Sequence, residues 1–134
     1  MVLKRVFYQL GDAPMYTVGG PQLITQAIRL CGGSNVFAAL SAPAPMVDVE
    51  AVVASRPQVI IAGTEGAKVP PWLSSWQRFP ALPAVQAGNL LTVDAFLLHR
   101  PGPRFIDGVE QFCGVMDRTR APPPDLPSGA TSPR

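Results

Sequence analysis

A chain of 134 residues with 47% apolar side chains can build one domain around its own core. Its charged fraction of 15% and net charge of +2 are low, and no basic block or basic–aromatic alternation is present, which argues against nucleic acid as a partner. Apolar runs such as Val59-Ile60-Ile61-Ala62 are too short to span a bilayer, and Met1-Val2-Leu3-Lys4-Arg5 lacks the apolar stretch of a signal peptide.

Arg5-Val6-Phe7-Tyr8-Gln9-Leu10 is rich in β-branched and aromatic residues, ends at Gly11-Asp12, and predicts a first strand. Gly19-Gly20-Pro21 then opens a helix in which Leu23, Ile24, Ala27, Ile28, Leu30 and Cys31 recur at helical spacing. Gly32-Gly33 supplies its left-handed stop. Val36-Phe37 reads as a short extended piece, and residues 41–46 as a loop. Asp48 caps a helix from Val49 to Ser55, with Glu50 in its first turn, that must end before Pro57. Gln58-Val59-Ile60-Ile61-Ala62 has no polar alternation, so the spacing predicts a strand buried on both faces, as in parallel sheets covered by helices.

Trp72, Leu73, Trp76 and Phe79 suggest one short amphipathic helix, followed by a turn-rich connection over 80–88. Asn89–Val93 is a third strand ending at Asp94, and residues 95–103 form a loop. Phe105, Ile106, Val109, Phe112, Cys113 and Met116 trace a final helix at spacings of three and four. The order β-α-β-α-β-α implies a layered α/β domain with a mainly parallel sheet. Residues 121–134 carry five prolines and few apolar side chains; they read as a disordered tail, with the domain spanning 1–120.

Cys31 and Cys113 each lie on the apolar side of a helical pattern. They read either as a bridge across one core, which implies an oxidising compartment, or as two buried free thiols, and spacing leaves both open.

In open parallel sheets, ligands bind beyond the carboxyl ends of strands. Those ends carry Gly11-Asp12-Ala13-Pro14, Gly63-Thr64-Glu65 and Asp94-Ala95-Phe96, none of them a catalytic set or a phosphate-cradling loop. The single histidine, His99, has no cysteine or second histidine near it in the sequence and reads as polar surface rather than a metal ligand. Asp94, Arg100 and Arg104 could orient a polar ligand or its amide groups through charge-assisted hydrogen bonds, or form an ion pair that pins the loop. Trp72 and Trp76 read as core packing before they read as a stacking face. A stand-alone α/β enzyme needs a convergent nucleophile and base, for which one histidine and no clustered acids are poor material.

Four stretches stand in a telling order: Leu30-Cys31-Gly32-Gly33-Ser34-Asn35-Val36-Phe37, then Val47-Asp48-Val49-Glu50-Ala51-Val52 with Arg56-Pro57-Gln58-Val59-Ile60-Ile61, then Ala84-Val85-Gln86-Ala87-Gly88-Asn89, and finally Arg100-Pro101-Gly102-Pro103-Arg104. Together, from about Arg5 to Arg118, they resemble the C-terminal lobe of the substrate-binding proteins of ABC importers for cobalamin, ferric siderophores and haem. The resemblance implies a three-layer αβα lobe with a mainly parallel, Rossmann-like sheet, one half of a bilobal periplasmic protein. It implies binding without chemistry and without a cofactor of the protein's own.

The cysteines favour the cobalamin branch, whose lobe is bridged at the positions matching Cys31 and Cys113. By the same correspondence Asp94 and Arg100 contact the corrinoid, although the Asp-to-Arg spacing differs by a short insertion, and Tyr16 faces the cleft. A cleft tryptophan of that branch falls on Ala44. Glu50 falls on the glutamate that meets an arginine of the permease in the inner membrane. Haem or a ferric siderophore is the alternative ligand, with Arg100, Arg104 and Trp72 as contacts. Full members are roughly twice this long. The resemblance therefore implies a missing N-terminal lobe, a targeting segment outside this chain, and a half-cleft that a homodimer could cover.

Overall fold

The run Gln58–Ala62 lacks polar alternation because its strand is covered on both sides. β3 (Val59–Thr64) lies between β1 (Lys4–Gln9) and β4 (Leu90–Asp94), and β2 (Gly33–Asn35) flanks β1 on the far side. The structure, a computed structural model, describes residues 3–99 and 102–119, whose strands form an all-parallel sheet of order β2-β1-β3-β4. Val6 pairs with Val59, Tyr8 with Ile61, and Thr64 with Asp94. Successive strand side chains point to opposite faces. Val6, Tyr8, Val59 and Ile61 thus enter one core cluster, and Phe7, Ile60 and Ala62 the other.

The first face is covered by α1 (Leu23–Leu30) and α5 (Arg104–Arg118), through Ile24, Ile28, Phe112, Val115 and Met116. The second is covered by α2 (Val49–Ser55), a 3-10 helix at Pro71–Arg78 and α3 (Pro83–Gln86), through Val52, Leu73, Trp76 and Ala84. The result is the expected three-layer αβα lobe. Arg100 and the tail 121–134 lie outside the described residues.

Local structure departs from expectation in several places, one of them α3, a short helix within the expected turn-rich connection over 80–88. The extended piece is Gly33–Asn35 rather than Val36-Phe37. Gly32 takes the left-handed turn (φ 86°), but Gly33 is needed for close approach: a Cβ there would lie 2.8 Å from Ile28 Cγ2 and 2.9 Å from Val6 Cγ2. Pro21 precedes the cap Gln22 instead of sitting in the first helical turn. The tryptophan segment is a 3-10 helix, in which residues three apart share a face. Leu73 and Trp76 are buried together, while Trp72 is only half-buried. The Ser75 hydroxyl donates to the Trp72 carbonyl at 2.7 Å, a local bond that competes with α-helical pairing. Finally, the expected loop after β4 contains a short helix, α4 (Ala95–Leu98).

Cys31, at the end of α1, and Cys113, in α5, form a disulfide with 4.6 Å between their Cα atoms. It ties together the two helices that cover one face of the sheet. Its sequence separation of 82 residues makes the constraint on the unfolded chain large. Replacing both cysteines by alanine should lower stability by about 4.5 kcal/mol at most, the chain-entropy figure for a loop of this size. Urea unfolding of the oxidised protein and the double variant measures it, and equal midpoints would contradict the assignment of this stabilisation to the bridge.

Candidate functional site

From β1 the chain crosses to β2 on one side and returns to β3 on the other, so the loops leaving β1 and β3 diverge. Ligands of open parallel sheets bind in the crevice this creates at the carboxyl ends. At this rim Asp94 closes β4 and caps α4: its Oδ1 accepts hydrogen bonds from the amides of Phe96 (3.0 Å) and Gly66 (3.2 Å). The Asp94 amide donates to Gln111 Oε1 of α5 at 2.8 Å. One carboxylate thereby joins the loops after β3 and β4 and stays at the surface. Arg104 does not join it. Its guanidinium pairs with Asp107 on its own helix (3.4 Å, both side chains exposed), a contact worth little.

Tyr16 sits over the end of β1. Its amide and carbonyl exchange hydrogen bonds with Leu10 (2.9 and 2.8 Å), and on its other side it pairs with Met46. Thr17 and Val47 bond to the carbonyls of Pro45 and Met15, each at 3.0 Å, so the two loops form one clamp. Met15 and Thr17 point inward, while Tyr16 and Met46 are exposed. Ala44 lies in the same exposed proline loop. Met46 and Phe96, exposed apolar residues of this rim, escaped the reading of the sequence. An apolar residue directly after the loop proline Pro45 was the only hint of the first.

The rim also holds a pair that the sequence did not suggest. Tyr8 is fully buried in β1, and its hydroxyl lies 3.3 Å from His99 Nε2, with the two rings stacked at 6.0 Å. Gly63 of β3 makes the space, because a Cβ there would collide with the Tyr8 hydroxyl. Burial, and then the charge of Asp94, raise the Tyr8 pKa, so the phenol keeps its proton. His99 is open to solvent on one side, yet burial of the other lowers its pKa and favours the neutral imidazole. The two neutral groups share one hydrogen bond between β1 and the end of α4. His99 is not the merely polar surface residue expected.

Glu50 is exposed in the first turn of α2, just after Asp48, whose side chain accepts from the Ala51 amide at 2.8 Å. It borders a groove of about 590 Å³ with Asp12, Pro14, Met46, Arg78 and Phe79. The Arg78 guanidinium stacks 5.0 Å over the Phe79 ring. Among the described residues no cluster of metal-ligating side chains occurs.

No protein-family model matches the chain. It superposes on the periplasmic vitamin B12-binding protein BtuF of Vibrio cholerae with a TM-score of 0.73 and 32% identity, over 89% of this chain and 46% of that one. A possible iron-binding periplasmic solute-binding protein of Staphylococcus epidermidis superposes with a TM-score of 0.75 at 23% identity, over 85% and 45% of the two chains. The chain thus has the fold of one lobe of a bilobal periplasmic binding protein. In sequence it is 38% identical over 109 residues to the vitamin B12-binding protein of Vibrio vulnificus, covering 81% of this chain but 39% of that protein. It is a homologue of part of the vitamin B12-binding proteins and spans about two fifths of the length of the curated relatives it matches.

A histidine whose pKa is lowered by folding is protonated more readily in the unfolded chain. Stability should therefore rise with pH below the ordinary histidine value of about 6.5 and level off above it. Urea midpoints at pH 5 and 7.5 measure the difference, and His99→Gln should reduce it. An undiminished difference in that variant would assign the effect to other groups.

Proposed function

We propose that this chain is the C-terminal lobe of the substrate-binding component of an ABC importer, and that its rim of strand ends forms one wall of a cobalamin or related corrinoid site. What carries this reading is the partial-length identity to vitamin B12-binding proteins together with Asp94, held at the mouth of the sheet by backbone amides. Tyr16, Met46 and Phe96 supply exposed apolar surface for the ligand's flat face, and Asp94 takes hydrogen bonds from its amide edge, with Arg100 as a second polar contact. Such a wall binds and orients, and the protein does no chemistry. A haem or siderophore site is less well supported, because Arg104 does not join Asp94 at the rim and Trp72 is half-buried under the sheet's second layer.

A second lobe of a longer periplasmic protein provides the opposite wall, and Glu50 engages a basic residue of the permease. The disulfide suits that oxidising compartment. A homodimer closing over the rim is the competing arrangement, which sedimentation with and without cyanocobalamin would reveal.

Calorimetric titration with cyanocobalamin tests the reading. Asp94→Asn retains a capping oxygen but loses the charge, and should weaken binding about ten-fold at unchanged melting temperature. Unchanged affinity would remove Asp94 from the site. Glu50→Ala should leave the titration as it was while lowering uptake by the full-length importer. A variant that transports normally would free Glu50 of its docking role.

A further inference from the structure

Three consecutive residues of α5 reach three parts of the molecule, as a step of about 100° per residue around a helix allows. Gln111 Oε1 accepts the Asp94 amide at the rim (2.8 Å), Phe112 packs against Tyr8 in the core, and Cys113 is bridged to Cys31 at the end of α1. Asp94 closes β4, an edge strand with β3 as its neighbour, so what α5 supplies matters for where it sits. The bridge itself borders solvent. A groove of about 420 Å³ is lined by both cysteines together with Leu3, Arg29 and Asp117, and Cys113 is half-buried where Cys31 is buried. Of the two sulfurs, that of Cys113 is the one more open to a thiolate.

We infer that Gln111 is a positioning residue for Asp94 and that the Cys31–Cys113 bridge, by fixing α5 against α1, sets how firmly it acts, so that reduction of the bridge by a dithiol loosens the rim. In that step one thiolate of the dithiol attacks the Cys113 sulfur, and the S–S bond breaks toward Cys31 to leave a mixed disulfide. The second thiolate of the dithiol then displaces Cys113, and the reductant departs as a cyclic disulfide. Two electrons pass to the cysteines, which take up two protons. Phe112, Val115 and Met116 keep α5 on the sheet, but its slide and rotation against α1 are no longer fixed, and the exposed Gln111 side chain loses its aim. The effect on the ligand rests on the corrinoid reading, in which Asp94 touches it. The dependence of the rim on the bridge stands apart from that reading.

Hydrogen exchange at the Asp94 amide reads the contact, and calorimetric titration with cyanocobalamin reads its consequence. Wild type and Gln111→Leu, which keeps a helix-favouring side chain without an acceptor, are each measured oxidised and after reduction by dithiothreitol. Reduction of wild type should speed exchange at Asp94 and weaken binding about five-fold, the factor that one neutral hydrogen bond of ordinary net strength supplies, while the core amides of β1 and β3 stay protected. Oxidised Gln111→Leu should match reduced wild type, and its reduction should add no further loss at the rim. A second loss of the same size in that variant, or undiminished protection of Asp94 in reduced wild type, would overturn the inference. So would a reduced chain whose core amides exchange as fast as Asp94, since the bridge would then hold the whole fold and not the rim. Faster exchange with unaltered affinity would uphold the positioning role and take Asp94 out of the ligand site. A wild type that binds no cyanocobalamin would overturn the corrinoid reading, and exchange alone would then decide the inference.

Discussion

Burial of β1 and β3 on both faces governs the rest of this molecule. Every residue from Val6 to Gln9 and from Val59 to Ala62 is shut off from solvent. Each strand must therefore be covered by helices above and below, and the connections must cross from one end of the sheet to the other. The few polar groups inside are satisfied locally. The Trp76 indole donates to Gln9 Oε1 at 2.8 Å, and Gln9 passes the chain on to the Gly11 carbonyl at 3.0 Å. Asn35 bonds the Val18 carbonyl at 2.7 Å and anchors the turn after β2. A sheet so fully enclosed leaves only its ends for function.

The carboxyl end is where polar and apolar groups meet solvent together. Asp94 serves the architecture first, since its caps order two loops, and a carboxylate held in that way is already positioned for a ligand. Tyr8 does the same from below. It packs against Phe112 in the core, and its hydroxyl reaches the one place where a glycine, Gly63, lets it approach the rim. The disulfide works at a distance from this chemistry, joining α1 to α5 on one side of the sheet. α5 also holds Gln111 against the Asp94 amide, so the helix that the bridge steadies is in contact with the site.

Much of this was legible in the residues. The unbroken apolar run at 59–62 announced a central parallel strand, and Asp48 with Pro57 delimited α2 to the residue, because capping and proline geometry act over one turn. The Gly32-Gly33 pair marked the end of α1, but only contacts with Ile28 and Val6 explain its second glycine. The tryptophan segment was legible as a short helix but not as a 3-10 one, since apolar residues three apart fit either geometry and the choice fell to serine hydroxyls and the covering layer.

Composition, periodicity and caps determined the layered α/β class, the strands and the charged residues at their ends, because these depend on neighbours along the chain. The pairing of Cys31 with Cys113, the clamp of Tyr16 between Leu10 and Met46, and the contact between Tyr8 and His99 were decided only by the tertiary structure. The disulfide, the Tyr16–Met46 bridge and the Tyr8–His99 contact join segments far apart in sequence, and such meetings are set by how the layers stack rather than by any local preference of the residues involved.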